Sequence, residues 1–470
     1  MTQHCIADVA MLKFIYERGN QMEQKMYSHR GFMLDVCRHY MPVENIKKLI
    51  KAAEICGLNR MHWHLADDQG WRIEIKRYPK LTQIGSERGP SFFGNVSEIE
   101  NNCGYYTQEE ARDIVAFAKG HGIEIIPEIE LPGHASAMLA SYPEYGCRRT
   151  VMRQNCEQII ENPYEYKVEN AGGIFPNLIC AGKDEVVTFL KNIMDEVAEL
   201  FPFDAVHIGG DEALKLHWRR CPDCQKRMKE LGLKDEEELQ RWFVLEMGEY
   251  LHRKGKNTIV FNDCLAGGML PKYFIVHHWM GNNQETAEFM KTGGKVIYSD
   301  IEHFYFDYPY SSIDVHHIWE TPRIPKYAIG YEENLLGMEC MLWTERITNV
   351  ERAAYLLFPR VAAASLKAMK ADEIKSWEQF EQEVQKLQEQ IEELGLVGAS
   401  HRDWKMTPEV AEEDRIEEKN RRTSPGALRA DRTEERLLIQ EKLEKAIKAL
   451  DLPESLVLHT MDCAWEWEDK

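Results

Sequence analysis

Eight short apolar runs, mostly separated by stretches of helical periodicity, recur between residues 29 and 365, and this alternation constrains the fold more than any other feature of the chain. The runs fall at 31–36, 61–65, 123–129, 205–208, 258–261, 273–278, 295–298 and 336–342. Between the first two, Pro42 stands where a helix can begin, and Ile46, Leu49, Ile50 and Ala53 follow at i, i+3, i+4 and i+7. Gly57 suits the position just past the helix end. Thr107 and Glu110 have the spacing of a capping box ahead of Ala111, Ile114, Val115 and Ala118. Val186, Leu190, Ile193 and Val197 form another stripe. Such alternation predicts a parallel sheet covered by helices. Eight repeats favour a sheet closed into a barrel over an open doubly wound one, and no Gly-x-Gly-x-x-Gly turn supports a dinucleotide fold. The expected class is α/β, a (β/α)8 TIM barrel over 29–370, preceded by a short N-terminal segment 1–28 and followed by a helical, charged C-terminal extension 371–470.

In that extension Trp377, Phe380, Val384, Leu387, Ile391 and Leu394 alternate steps of three and four. The seam suits packing on the barrel; helix-mediated homodimerisation is the alternative. Residues 401–436 are highly charged around Ser424-Pro425-Gly426 and read as an exposed, partly flexible connector. A last helix carries Ile439, Leu443, Ala446, Ile447 and Leu450, and Trp465 and Trp467 beyond it are expected to dock.

Charge and cysteine usage narrow the function. With 58 basic against 78 acidic side chains the net charge is −20, which disfavours nucleic acid and leaves neutral or small-molecule substrates. No segment approaches the roughly 18 apolar residues of a membrane span. The first 30 residues hold no secretory apolar core, so the chain reads as cytoplasmic. Among 12 cysteines the one tight pair is Cys221-Pro-Asp-Cys224. A structural zinc site wants four ligands, usually two such pairs, so the pair reads as plain thiols at a helix start and no metal is expected; a disulfide between them requires an oxidising compartment.

Active sites of such barrels lie at the C-terminal ends of the strands. The residues there are Asp35 and Arg38, Asp67 and Asp68, Glu130 and His134, Asp211 and Glu212, Asp263, Trp279, Tyr305 and Asp307, then Trp343 and Glu345. Carboxylates and an arginine can bind hydroxyls, and tryptophan faces can stack on a sugar ring. The run His207-Ile208-Gly209-Gly210-Asp211-Glu212 is the strongest single signal. Its glycines permit a tight turn beside a ligand. Adjacent carboxylates sharing one site push their pKa values apart, the division of labour a glycosidase needs. An exposed acidic loop tip is the alternative.

Several separated motifs together resemble glycoside hydrolase family 20, the β-N-acetylhexosaminidases. They are Arg30-Gly31-Phe32-Met33-Leu34-Asp35-Val36-Cys37-Arg38, His62-Trp63-His64-Leu65-Ala66-Asp67-Asp68-Gln69, Pro132-Gly133-His134, the Gly-Gly-Asp-Glu run, Tyr305-Phe306-Asp307 and Trp343-Thr344-Glu345. The resemblance implies an exo-acting, retaining enzyme on glycans ending in β-linked N-acetylglucosamine or N-acetylgalactosamine, with no cofactor. It implies Glu212 as general acid/base, Asp211 on the acetamido nitrogen and Tyr305 on the acetamido oxygen, so that the substrate itself forms an oxazolinium intermediate. It further implies Arg38, Asp67 and Glu345 on the 3- and 4-hydroxyls, Asp307 near the 4- or 6-hydroxyl, Trp279 and Trp343 as walls, and His134 supporting Glu212. Phe261 stands where the family usually has tryptophan, which would widen the acetamido pocket. Residues 1–28 are too few for the small α/β domain that often precedes the barrel. A disaccharide-releasing or modified-sugar enzyme of the same family, or a non-catalytic sugar-binding barrel, are the other readings. Arg30, His62, His64, Asp35, Asp68 and Glu130 are expected to pair inside the barrel or to support their neighbours rather than to touch sugar.

Overall fold

All eight apolar runs are strands: β1 (His29–Asp35), β2 (Arg60–His64), β3 (Glu124–Glu128), β4 (Ala205–His207), β5 (Asn257–Phe261), β6 (Phe274–His278), β7 (Lys295–Tyr298) and β8 (Leu335–Cys340). They pair in parallel in chain order, and β8 closes on β1. The computed structural model describes residues 26–422, apart from 94–95, 98–99, 154–155, 161–163 and 371–372.

The local signals work as their chemistry requires. The helix Val43–Ile55 starts directly after Pro42, and Gly57 takes φ +74 beyond its end. Thr107 and Glu110 exchange hydrogen bonds at the start of the helix Gln108–Gly120, the Glu110 amide donating to Thr107 Oγ1 at 3.2 Å and the Thr107 amide to Glu110 Oε2 at 2.8 Å. The β5–β6 connection departs from the pattern: it holds a 3-10 turn, Asn262–Leu265, and no α-helix.

The apolar seam of the extension is used by the barrel itself. In the helix Trp377–Glu392, Phe380, Val384 and Ile391 are buried, and the Phe380 ring lies tilted 4.9 Å from Trp319 of the barrel's outer layer. Homodimerisation through this seam would need a face that is already covered. Part of the expected flexible connector is ordered: a helix spans Pro408–Arg422. Buried Trp404 anchors its approach, its carbonyl accepting from the His316 amide at 2.8 Å, while the Met406 amide donates to Asp314 Oδ2 at 2.8 Å. The expected last helix, Trp465 and Trp467 lie outside the described residues. No helix among the described residues is long and apolar enough to cross a membrane.

Strand register sets the barrel interior. Asp35 is level with His64, His64 with Glu128, and Glu128 with His207. From the barrel floor upward, His29 Nε2 meets Glu339 Oε2 at 2.6 Å, and His62 Nδ1 meets Glu339 Oε1 at 2.8 Å. The other ring nitrogen of His62 meets Glu128 at 3.0 Å, Glu128 meets His64 Nδ1, and His64 Nε2 meets Asp67 Oδ2 at 2.8 Å. Burial alone would lower both histidines, but the flanking carboxylates outweigh it and hold His62 at about 9 and His64 at about 10. Burial would raise Glu128 and Glu339; the neighbouring histidines instead hold both well below the usual carboxylate range.

Raised imidazolium pKa values contribute stability that is complete below the unfolded value near 6.5 and is lost as pH passes through about 9 to 10. Depressed carboxylates contribute stability present above roughly pH 4.3 and lost on acidification. The melting temperature should therefore peak between about pH 5 and 7 and fall through pH 9 to 10. Glu339→Gln should cost about 3–5 kcal/mol and flatten the alkaline fall, because a buried imidazolium loses its counter-charge. A melting temperature unchanged from pH 7 to 10 in the parent protein would contradict this.

Candidate active site

The barrel's C-terminal mouth is built on a turn that only glycine permits. After β4, Gly209 takes φ +64 and Gly210 φ +101. A Cβ on Gly209 would overlap the Glu130 carboxylate, and one on Gly210 would overlap Cys264 Sγ. Glu130 in return accepts from the Gly210 amide at 2.8 Å and from the Leu131 amide at 3.1 Å. This carboxylate thus clamps the turn after β4 to the loop after β3. Glu212 and His134 themselves hold φ +48 and +46, left-handed conformations that cost roughly 1–3 kcal/mol each and persist only where the surroundings impose them.

One cavity collects the expected residues: Arg38, Asp67, His134, Asp211, Glu212, Trp279, Tyr305, Asp307, Trp343 and Glu345 all line it. At its floor Arg38 is nearly fully buried. Its guanidinium meets Asp67 Oδ2 at 2.9 Å, Asp35 Oδ2 at 3.3 Å and Glu345 Oε1 at 3.9 Å, and donates to Gln69 Oε1 at 2.7 Å. Asp35 also accepts from the Thr344 amide at 3.0 Å, tying β1 to the segment after β8.

His134 joins two pairs of carboxylates. Its Nδ1 lies 3.0 Å from Asp68 Oδ2 and 3.3 Å from Asp67 Oδ1; its Nε2 lies 3.5 Å from Glu212 Oε2 and 4.0 Å from Asp211 Oδ2. Burial opposes its charge, yet these carboxylates hold its pKa well above that of a free histidine. Asp68 is held in turn by the Ser136 amide at 2.9 Å. Burial is also the main reason that Asp211 is pushed up to about 8, against the pull of His134. Among the described residues no hydrogen-bond partner reaches Asp211 Oδ1 or Asp307 Oδ1, although both atoms are buried. Asp307 is pushed up to about 7, first by burial and then by Glu345.

Aromatic faces make the walls. Trp279 stands 6.1 Å from Tyr305 in a near-parallel arrangement, Tyr305 is 6.4 Å from Trp343, and Trp279 Nε1 donates to Asp263 Oδ2 at 2.8 Å. Phe261 departs from expectation, for it does not line the cavity. As the last residue of β5 it turns into the barrel, stacks on His277 at 5.1 Å, and packs with Met33 and Met341 beneath Trp279 and Tyr305. It supports the walls instead of forming one.

The residues expected to be internal make internal pairs, although His64 and Glu130 also reach the cavity lining. Arg30 donates to the Gly57 and Tyr27 carbonyls, and His62 and His64 belong to the buried histidine–carboxylate chain. Sequence reasoning missed Phe93, Gly172, Gly173, Ile174, Tyr308 and Arg346, which also line the cavity. They sit in connecting segments with no periodic signal. It also missed the company of Cys221 and Cys224: Cys147 and Cys180, which form no Cys-x-x-Cys pair of their own, join them in one buried cluster. Another such group, Asp67, Asp68 and His134, is engaged in the pairs with Arg38, His64 and Ser136 described above.

A closed parallel barrel with carboxylates, an arginine and aromatic walls at its C-terminal mouth defines an enzyme-type (β/α)8 domain. The catalytic-domain profile of glycosyl hydrolase family 20 matches residues 27–372, and the chain belongs to that family. A β-hexosaminidase of Porphyromonas gingivalis is 38% identical over 357 residues, 73% of this chain and 43% of the relative. One from Akkermansia muciniphila is 30% identical over 369 residues, 76% of this chain and 71% of the relative. The chain thus spans less than half the length of the first of these. Among solved structures, a β-N-acetylhexosaminidase from Bacteroides fragilis NCTC 9343 superposes with a TM-score of 0.67 at 32% identity, covering 81% of this chain and 74% of that one. A Vibrio harveyi exo β-N-acetylglucosaminidase in complex with N-acetylglucosamine gives a TM-score of 0.67 at 29% identity, with 81% and 60% covered.

The Gly209 turn yields a direct test of the site. Gly209→Ala should weaken binding of a competitive sugar ligand at least about tenfold, because the Glu130 clamp must shift, while the circular dichroism of the barrel persists. Unchanged affinity would show that Glu130 can yield without moving Asp211 and Glu212.

Proposed function

We propose that this chain is a retaining exo-β-N-acetylhexosaminidase that releases terminal non-reducing N-acetylglucosamine or N-acetylgalactosamine with the substrate's acetamido group as nucleophile. The observation that carries the reading is that the buried Asp211 Oδ1, which has no hydrogen-bond partner among the described residues, lines the same cavity as Tyr305. An acceptor and a hydroxyl donor in one cavity are what an amide requires: N–H to Asp211, C=O to Tyr305. Leaving a buried acceptor unpaired costs about 1–3 kcal/mol, which an acetamido N–H would relieve. The same hydrogen bond favours ionised Asp211, so substrate binding would draw down the pKa that burial has raised.

With the acetamido oxygen aimed at the anomeric carbon, attack forms a C–O bond as the glycosidic C–O bond breaks. Glu212 gives its proton to the leaving oxygen. Asp211 stabilises the cationic oxazolinium, and water, deprotonated by Glu212, then opens the ring with net retention. Intramolecular attack of this kind supplies about 7–11 kcal/mol of the barrier when the nucleophile is held in place. Arg38, Asp67 and Glu345 close the inner end of the cavity, which suits recognition of the hydroxyls of one terminal sugar and hence exo action. The chemistry calls on carboxylates, a tyrosine and water, and on no cofactor.

The test compares 4-nitrophenyl N-acetyl-β-D-glucosaminide with the matching β-glucoside, which lacks the acetamido group. Rapid release from the first and almost none from the second is expected; equal release would remove the acetamido group from the mechanism. Glu212→Gln should lose about 10²–10⁴ in rate on an unactivated disaccharide and far less on the aryl glycoside, whose leaving group needs little protonation.

A further inference from the structure

We propose that Cys147, Cys180, Cys221 and Cys224 bind a structural zinc ion that ties together the two loops carrying His134 and Asp211-Glu212. All four side chains are buried, and all four Sγ atoms lie within 4.8 Å of one another. The separations are 3.6 Å for Cys180–Cys224, 3.7 Å for Cys180–Cys221 and 3.9 Å for Cys147–Cys224. A tetrahedron of thiolates about 2.3 Å from zinc has edges of about 3.8 Å. The thiols are free, and their spacing is that of ligands around a common centre rather than of bonded sulfurs.

Three separate segments deliver these ligands, and the backbone forces them together. Gly146, beside Cys147, bridges to Ile179, beside Cys180, and the Cys180 amide donates to the Tyr145 carbonyl at 3.0 Å. A Cβ on Gly182 would overlap the backbone of Asp223 and Cys224, so the Cys180 segment lies flat on the first turn of the helix Pro222–Leu231. Cys221 and Cys224 flank that turn with the two-residue spacing of a zinc knuckle, and helix N-termini favour thiolates. A zinc tetrathiolate carries two net negative charges. Arg149 and Arg220 share its surroundings, close enough to act on Tyr164 and His217 together with Cys221. Arg148 pairs with Asp223, so that acidic neighbour is already neutralised.

The position gives the ion a purpose. Cys147 and Cys180 bracket the segment that places Gly172, Gly173 and Ile174 in the cavity wall, and Cys221 ends the loop that begins at Asp211. The Trp218 indole, between the two loops, donates to the Ile179 carbonyl at 3.0 Å. Zinc here fixes the cavity rim without touching substrate.

The full chain, produced in zinc-replete medium and purified without chelating resin, should carry about one zinc per chain by plasma mass spectrometry. Cys180→Ser/Cys224→Ser should lower that content at least tenfold, whereas Cys103→Ser, outside the cluster, should keep it. Cobalt exchanged into the parent protein should give the intense thiolate-to-cobalt charge-transfer absorption and visible bands of a tetrahedral tetrathiolate. Chelation should speed amide exchange at residues 172–174 and leave the barrel strands protected. Parent protein with no zinc, disulfide-linked peptides joining these cysteines, or iron in place of zinc would each overturn the assignment. If the double variant fails to fold, the parent's metal content and cobalt spectrum decide the question alone.

Discussion

The structure depends on an unbroken chain of histidines and carboxylates through the barrel axis that ends on a guanidinium: His29, Glu339, His62, Glu128, His64, Asp67 and Arg38, each within hydrogen-bonding reach of the next. A barrel core of leucine and valine would serve stability as well, for a buried ion pair offers little net gain over apolar packing. The charged core does something packing cannot. It fixes the orientation of each polar group from the floor of the barrel to the guanidinium at the base of the cavity, and it makes each member depend on its neighbours. Strand register is what allows this, because Asp35, His64, Glu128 and His207 stand at one level.

Above this chain the mouth of the barrel is held against its own preferences. Glu212 and His134 occupy left-handed backbone conformations, Asp211 Oδ1 and Asp307 Oδ1 are buried without partners among the described residues, and several carboxyl groups crowd one cavity. Each feature raises the free energy of the empty site. The Glu130 clamp, the Arg38 pairs and the proposed zinc staple carry that cost. A substrate that brings an N–H and hydroxyl donors would lower it, which links binding to the relief of built-in frustration.

Much of this was legible in the sequence because it rests on local chemistry. Pro42, Gly57 and the Thr107–Glu110 pair mark helix ends through backbone rules that need no tertiary context, and the eight apolar runs are long enough to be read singly. The site residues were legible because strand ends converge in a barrel, so position along each strand implies position in space. What escaped depends on long-range contact. Cys147 and Cys180 reach the Cys221 turn only once two loops fold against each other. Gly172 and Phe93 enter the cavity from segments with no periodicity. Phe261 reads as a wall until the fold shows its ring beneath Trp279 and Tyr305, and the extension's helical seam leaves both packing on the barrel and dimerisation open until Trp319 is seen against Phe380.

The central claim is that the substrate's acetamido group, with its N–H on Asp211 and its oxygen on Tyr305, attacks the anomeric carbon through that oxygen. The most direct measurement is turnover of 4-nitrophenyl β-glucosaminides whose N-acyl group is acetyl, fluoroacetyl, difluoroacetyl or trifluoroacetyl. Each fluorine makes the carbonyl oxygen a poorer nucleophile while changing its size little. The account predicts a steep, progressive fall in kcat/KM along the series. A flat series would contradict it and assign the attack to a side chain of the protein.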